Sequence, residues 1–139
     1  MQTKTQSFQD LQSYQLAFRC SVDVYHLIQP FPDAERPLAL KLLSTAHAVR
    51  AQIAAGWGQR RNREGLLIKL SAAQLAATEM QRWLEAAIAF GYLDAEAGQD
   101  LYDCYSTLYG ALDQLMETAV AGTTQPAVAS FEDDLPASA

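Results

Sequence analysis

Hydrophobic residues recur at spacings of three and four in four stretches of the chain, separated by proline, glycine and aspartate. This period is typical of the buried face of an α-helix, and the chain shows no β-hairpin signal. We therefore predict four helices, over residues 8–29, 34–56, 63–90 and 95–120. Residues 1–7 form a polar extension. Residues 122–139 are small, acidic and without period, so we predict a disordered tail.

Each predicted helix has one apolar stripe that we expect to face a common core. In the first helix the stripe is Leu11, Tyr14, Phe18, Val22, Tyr25 and Ile28. In the second it is Leu38, Leu42, Thr45, Val49 and Ile53. In the third it is Leu66, Leu70, Ala73, Ala77, Met80, Leu84 and Ala87. In the fourth it is Leu101, Tyr105, Leu108, Leu112, Leu115 and Ala119.

The ends of the helices are marked by residues that cap them. Asp33, Asn62 and Asp94 are each followed by a helical pattern and are good N-cap residues. The glycines expected to end helices are Gly56, Gly58, Gly91 and Gly122. Short connections between long helices favour antiparallel neighbours. The fold class is therefore predicted to be all-α, an up-down-up-down four-helix bundle.

The net charge of -6 is divided unevenly along the chain. Residues 1–83 hold all ten Lys and Arg and six acids, a charge of +4, whereas residues 84–139 hold ten acids and no base, a charge of -10. Such asymmetry suggests an interaction surface. No apolar run approaches the roughly 20 residues of a membrane span, and the N-terminus lacks a signal-peptide pattern. We expect a cytoplasmic protein.

Metal and cofactor chemistry is not expected. The two cysteines, Cys20 and Cys104, are predicted to be buried reduced thiols rather than a disulfide. A carboxylate-bridged di-iron bundle needs two Glu-x-x-His pairs, whereas this chain offers only Asp23 before His26, and Ser44 precedes His47. Phosphate-binding glycine loops and nucleophile-elbow sequences are also absent, so we expect no enzyme.

One group of residues, near the turn between the second and third predicted helices, has the chemistry of a phosphate- or base-binding site. Arg60, Arg61 and Arg63 occupy the turn between the second and third helices, with Trp57 beside them and Arg50 two turns earlier. Arginine forks suit phosphate, and an aromatic ring beside them suits an unpaired base. These five residues are the predicted nucleic-acid site. The alternative is that the arginines pair with acids of neighbouring helices or subunits.

Several segments, in order, resemble the four-helix-bundle family of 23S rRNA intervening-sequence proteins, which is related to the accessory variability determinant of diversity-generating retroelements. The segments are Phe8–Leu11, Val24–Leu27, Phe31–Pro32 with Glu35, Ile53–Arg60, Glu79 and Phe90–Leu93. The segment Ile53–Arg60 is similar to the family signature Asn-Ile-Ala-Glu-Gly-x-Gly-Arg. The chain departs from the family at Gln52 for Asn, Ala55 for Glu, and Leu75–Ala76 for Gly-Ser.

The resemblance implies a bacterial, non-catalytic accessory protein that forms a homopentameric ring and binds RNA or DNA and a reverse transcriptase. Four large apolar residues outside the stripes are consistent with a partner surface; they are Leu67, Trp83, Ile88 and Phe90. The alternative function is an oligomeric protein-interaction scaffold that binds no nucleic acid, because its acidic surface would repel phosphate.

Overall fold

The structure is a computed structural model that describes Phe8 and residues 11–121. Its helices are α1 (Gln12–Leu27), α2 (Arg36–Gly58), α3 (Arg63–Ala89) and α4 (Ala95–Ala121), and a 3-10 turn, Asp33–Glu35, leads into α2. The described part of the chain contains no strand. The prediction of an all-α, four-helix fold is confirmed. The predicted N-terminal extension and C-terminal tail lie outside the described residues.

The four helices pack around one core. Within the described residues, the backbone of α1 is adjacent to α2 and α4, and that of α3 is also adjacent to α2 and α4, whereas α1 and α3, and likewise α2 and α4, lie diagonally across the core. Hydrogen bonds cross between α3 and α4 at three levels. Ser71 reaches Met116, Gln74 reaches Tyr109 and Asp113, and Gln81 reaches Tyr102 and Ser106. The partner numbers on α4 fall as those on α3 rise.

The predicted core faces of α2, α3 and α4 are confirmed with small exceptions. All seven stripe residues of α3 are at most 1% exposed. The buried core residues of α2 and α4 include Leu42, Val49, Ile53, Leu101, Tyr105, Leu108 and Leu112. Leu38 and Leu115 are half-buried at the edge of this core. The many alanines of the α3 stripe allow its neighbours to approach closely.

The predicted core face of α1 is wrong at three of its six residues. Phe18, Val22 and Tyr25 are 50%, 38% and 53% exposed. Ile28 is buried as predicted, and Leu11 and Tyr14 pack against the core. The rest of the buried face is formed by Ser13, Ala17, Cys20 and Val24, which also recur at spacings of three and four. Periodicity identified a helix that has two apolar stripes, but it could not tell which stripe the core selects. The core takes the smaller side chains and leaves the larger ones outside.

The helix ends agree with the sequence in three cases. The Asn62 side chain accepts a hydrogen bond from the Gly65 amide at 3.3 Å, and the Asp94 side chain accepts one from the Ala97 amide at 3.0 Å. Gly91 has φ +82°, a conformation that glycine adopts without a Cβ penalty. It follows the end of α3 in a Schellman motif, in which the Tyr92 amide donates to the Ala87 carbonyl at 2.9 Å.

Two predicted boundaries are corrected. Asp33 does not cap α2, because Asp33–Glu35 forms its own 3-10 turn and α2 begins at Arg36. Gly56 does not end α2, which continues to Gly58. A Cβ at Gly56 would lie 3.1 Å from the Cβ of Lys69. Gly56 is therefore a site of close approach between α2 and α3 rather than a helix stop.

Cys20 and Cys104 form a disulfide that joins α1 to α4. The prediction of two reduced thiols is therefore corrected. Both cysteines were expected on separate helices, but sequence spacing carries no information on whether those helices are neighbours. The cross-link closes a chain segment with a sequence separation of 84 residues.

Candidate nucleic-acid interface

The turn between α2 and α3 is built by short backbone hydrogen bonds. The Gln59 amide donates to the Gly56 carbonyl at 2.9 Å, and the Asn62 amide donates to the Gln59 carbonyl at 2.8 Å. Asn62 then caps α3. The basic residues of this segment are thus presented by a defined turn, with Arg60 and Arg61 inside it and Arg63 at the first position of α3.

Arg60 is held against the protein. Its guanidinium donates to the Trp57 carbonyl at 2.9 Å and lies 5.2 Å from the centre of the Trp57 ring. Burial, together with the neighbouring charge of Arg61, lowers the pKa of Arg60 from its ordinary value. The side chain is half-buried. Arg60 therefore anchors the turn, a role that a cation–π contact and a backbone hydrogen bond both support.

Trp57 is not available for the stacking role that the sequence suggested. Its side chain is only 2% exposed. A ring in this position cannot receive an unpaired base without unpacking the end of α2. Trp57 instead supports Arg60. The side chains of Arg61 and Arg63 are exposed.

Arg50 belongs to a different surface. Eight residues of helix lead from Arg50 to the end of α2 at Gly58, which corresponds to about 12 Å along the helix axis, and Arg60 lies in the turn beyond. Its guanidinium lies 5.5 Å from the centre of the Phe18 ring and 3.4 Å from Nδ1 of His47. The structure therefore divides the five predicted residues into a turn group and a separate group between α1 and α2.

The charge asymmetry of the chain becomes a separation in space. α2 contains Arg36, Lys41 and Arg50 and no acid. α4 contains five acids and no Lys or Arg; the acids are Glu96, Asp100, Asp103, Asp113 and Glu117. The backbones of these two helices are not neighbours within the described residues, so α2 and α4 lie diagonally across the bundle. One side of the bundle is therefore positive and the opposite side is negative.

The histidines and acids that the sequence offered as possible metal ligands do not form a metal site within the described residues. Asp23, His26 and Asp100 line the same hollow between α1 and α4. However, nowhere in the described part of the chain do three His, Cys, Asp or Glu side chains lie close enough to hold an ion. His47 lies on α2 beside Arg50.

No helix in residues 11–121 is both long and apolar enough to cross a membrane.

The segments that resemble the family have structural roles. The Tyr92 hydroxyl donates to the Glu35 carboxylate at 2.8 Å and so ties the α3–α4 turn to the start of α2. This hydrogen bond raises the pKa of Tyr92. Glu79 accepts a hydrogen bond from the Trp83 indole at 3.3 Å and lies 4.0 Å from Lys41. These contacts tie Tyr92 to Glu35, and Trp83 and Lys41 to Glu79.

The departures from the family pattern fall at different depths. Gln52 is half-buried, Ala55 is exposed and Leu75 is 74% exposed. Three of the four predicted surplus residues pack against the core; these are Leu67, Trp83 and Ile88. Phe90 is 68% exposed. Large exposed apolar residues lie on all four helices, and of those only Phe90 and the exposed part of the α1 stripe were singled out by the sequence.

Comparison with known proteins agrees with the family resemblance and with the four-helix fold. The family model described as 23S rRNA-intervening sequence protein matches residues 9–114. No curated protein matches the chain. A solved protein of unknown function from the S23 ribosomal protein family of Bacteroides thetaiotaomicron has a similar fold, with a TM-score of 0.68 at 18% identity over 76% of this chain and 95% of that one. The chain belongs to the family of 23S rRNA-intervening sequence proteins.

Proposed function

We propose that this protein is a non-catalytic, homo-oligomeric accessory protein that binds nucleic acid with the basic side of its bundle. The observation that carries the proposal is the separation of charge between α2, which has three basic residues and no acid, and α4, which has five acids and no base. A polyanion can approach the α2 side while the α4 side points away from it. The net charge of -6 does not oppose binding in that orientation.

The basic surface includes the turn between α2 and α3. Arg61 and Arg63 are exposed there, and the N-terminus of α3 adds the partial positive charge of a helix dipole. Arg60 contributes charge but also holds the turn on Trp57. We propose that Arg61 and Arg63 contact phosphates directly, and that Arg60 and Trp57 position them.

The proposed subunit is an antiparallel, up-down-up-down bundle, and the proposed assembly is a closed ring of five, as the family resemblance suggests. The opposite order of the paired residues on α3 and α4 supports the antiparallel arrangement. Large exposed apolar side chains support an assembly. A reverse transcriptase is the proposed protein partner, and the cytoplasm is the proposed location.

The test of nucleic-acid binding compares two double variants of equal charge. Arg61→Glu with Arg63→Glu changes the turn, and Arg19→Glu with Arg82→Glu changes exposed arginines elsewhere. Arg60 is left intact because its loss would disturb Trp57. Binding to single-stranded and structured RNA and DNA is measured at several salt concentrations.

We expect the turn variant to lose affinity and the control variant to retain most of it. Each phosphate contact adds about 0.7–0.9 to the slope of log affinity against log salt, so two lost contacts lower the slope by about 1.4–1.8 per bound subunit. Absence of wild-type binding at low salt, or equal losses in both variants, would contradict the proposal.

The second candidate is a protein-interaction scaffold that binds no nucleic acid. The exposed apolar residues of α3, Ile68 and Leu75, favour it, because they lie outside the basic surface and offer a protein contact. An oligomer that binds no nucleic acid at low salt would support this alternative.

A further inference from the structure

Two apolar faces are exposed on different sides of the bundle. The first, termed the α1 face, consists of Phe18, Val22 and Tyr25 of α1 with Leu40 of α2, which are 50%, 38%, 53% and 53% exposed. Tyr25 and Leu40 line a common groove at the α1–α2 junction.

The second, termed the α3 face, is centred on Ile68 and Leu75, which are 61% and 74% exposed. Seven residues, about two turns, separate them, so they lie on one side of the helix. A groove continues this face towards the C-terminal end of α3, with Leu75, Thr78 and Ala86 in its lining.

We propose that the α1 face of one subunit packs on the α3 face of the next copy of this chain. This inference rests on the homo-oligomer of the proposed function and names the surfaces that form it. A two-fold dimer uses the same patch on both subunits and would leave one of these faces in water. A head-to-tail contact covers both faces in every subunit.

The positions of the two faces determine how successive subunits turn. α1 and α3 lie diagonally across the core, but both faces lie towards α2. Phe18 of the α1 face packs under Arg50 of α2. The groove of the α3 face includes Glu79 and Trp83, both of which approach Lys41 of α2. The two faces are therefore inclined towards each other, and repeated head-to-tail contacts turn in one direction. Such contacts give a ring where the rotation closes and a helical filament where it does not, and the proposal is the closed ring.

This inclination also assigns an inside and an outside. α2 lies between the two faces, so it turns towards the ring axis, and α4 turns away from it. The acid-free α2 then lines the inner wall, whereas the five acids of α4 are on the outer wall. The acidic helices of neighbouring subunits are thereby kept apart, which limits like-charge repulsion.

The apolar areas are in the range of an interface core. A large aromatic side chain has roughly 150–250 Å² to bury, so two half-exposed rings with Val22 and Leu40 offer about 300–400 Å². That is close to the largest apolar patch of an ordinary monomer, roughly 300–600 Å² and often functional. Surrounding polar residues would supply the remainder of the roughly 800 Å² that each partner buries in a standard interface.

The test uses two complementary variants. The first carries Val22→Glu and Tyr25→Glu on the α1 face, and the second carries Ile68→Glu and Leu75→Glu on the α3 face. A control, Tyr109→Glu with Gln114→Glu, makes the same charge change at exposed positions of α4. Circular dichroism establishes that each variant remains helical, and light scattering after size exclusion gives the mass at micromolar concentration without nucleic acid.

The wild type and the control are expected to form the same closed oligomer, and each face variant alone is expected to be a monomer. A mixture of the two face variants should form a 1:1 dimer that grows no further, because only one intact pair of faces remains. If one face variant forms a dimer by itself, the contact is two-fold and the proposal is wrong.

Two other outcomes also overturn the proposal. A wild-type oligomer whose two face variants fail to pair refutes these surfaces but leaves the assembly of the proposed function intact. A wild-type monomer removes the assembly altogether, whereas nucleic-acid binding is measured separately and can survive that result.

Discussion

Tyr105 provides the sharpest test of the core, because its hydroxyl is buried and has no hydrogen-bond partner among the residues that the structure describes. The side chain lies mid-way along α4 and is 0% exposed. Burial raises the pKa of Tyr105, with the positive charge of Arg50 opposing the shift and the negative charge of Asp23 adding to it. The ring packs in the core, but the hydroxyl oxygen makes no hydrogen bond to the described residues that would offset its loss of water.

Replacement of Tyr105 by Phe should therefore stabilise the protein. A buried polar group without a partner costs about 1–3 kcal/mol, and Phe keeps the same ring and the same packing. We expect the free energy of unfolding to rise by about 1–2 kcal/mol. This direction is unusual, because most substitutions of a fully buried residue destabilise a protein.

The measurement is urea denaturation followed by circular dichroism, at one fixed protein concentration and with the Cys20–Cys104 disulfide intact. The control is Tyr109→Phe, because Tyr109 is 39% exposed on the same helix. Its change should stay within about 0.5 kcal/mol. An unchanged slope against urea would show that the change reflects stability rather than the compactness of either state.

Alkaline pH supplies a second readout. The folded-state pKa of Tyr105 is raised above the ordinary tyrosine value of about 10, so below pH 10 the hydroxyl is protonated in both states and its ionisation does not change stability. Above pH 10 the hydroxyl of the unfolded chain ionises first, which lowers the stability of the wild type, and Tyr105→Phe should lose less stability there. A loss of more than about 1 kcal/mol in the variant at neutral pH would refute the reasoning, since it would mean that the hydroxyl is hydrogen-bonded.

Three other predictions concern the packing, the cross-link and one turn. Leu108→Ala should cost about 2–5 kcal/mol in denaturation, because Leu108 is 0% exposed; a cost near zero would mean that its site collapses or is not buried. Reduction of Cys20–Cys104 should cost about 2–5 kcal/mol, because the cross-link constrains a long segment of the unfolded chain. Cys104→Ser should match the reduced protein, and mass spectrometry that finds two free thiols would contradict the disulfide. Gly91→Ala should lower stability by about 1 kcal/mol, because φ +82° disfavours any Cβ; an unchanged melting temperature would indicate that the turn relaxes.

The structure keeps the proposed nucleic-acid site at the turn between α2 and α3, but it changes which residues belong to that site. The sequence grouped four arginines and a tryptophan as one site. In three dimensions Trp57 is buried, Arg60 is its partner, and Arg50 lies on another surface beside Phe18. Only Arg61 and Arg63 keep the expected exposure. The arrangement follows from helix geometry, because the last two turns of α2 separate Arg50 from the turn that carries Arg60, Arg61 and Arg63.

The sequence by itself determined the number of helices, three of their caps and three of their four core faces. These features depend on interactions within a few residues. Asn62 and Asp94 cap the turn that follows them, Gly91 adopts the conformation that ends α3, and the α3 stripe repeats with the period of the helix. Local backbone chemistry and amphipathic spacing are present in the chain before any helix meets another.

Only the tertiary structure decided which face of α1 is buried, whether the cysteines meet and where the charges lie. α1 has two apolar stripes, and the core accepts the one with Ala17 and Cys20 because that face lies against α2 and α4. The Cys20–Cys104 disulfide and the separation of basic α2 from acidic α4 both depend on which helices are neighbours. Which helices are neighbours depends on how the four apolar faces pack together, and it cannot be predicted from the residue spacing within a single helix.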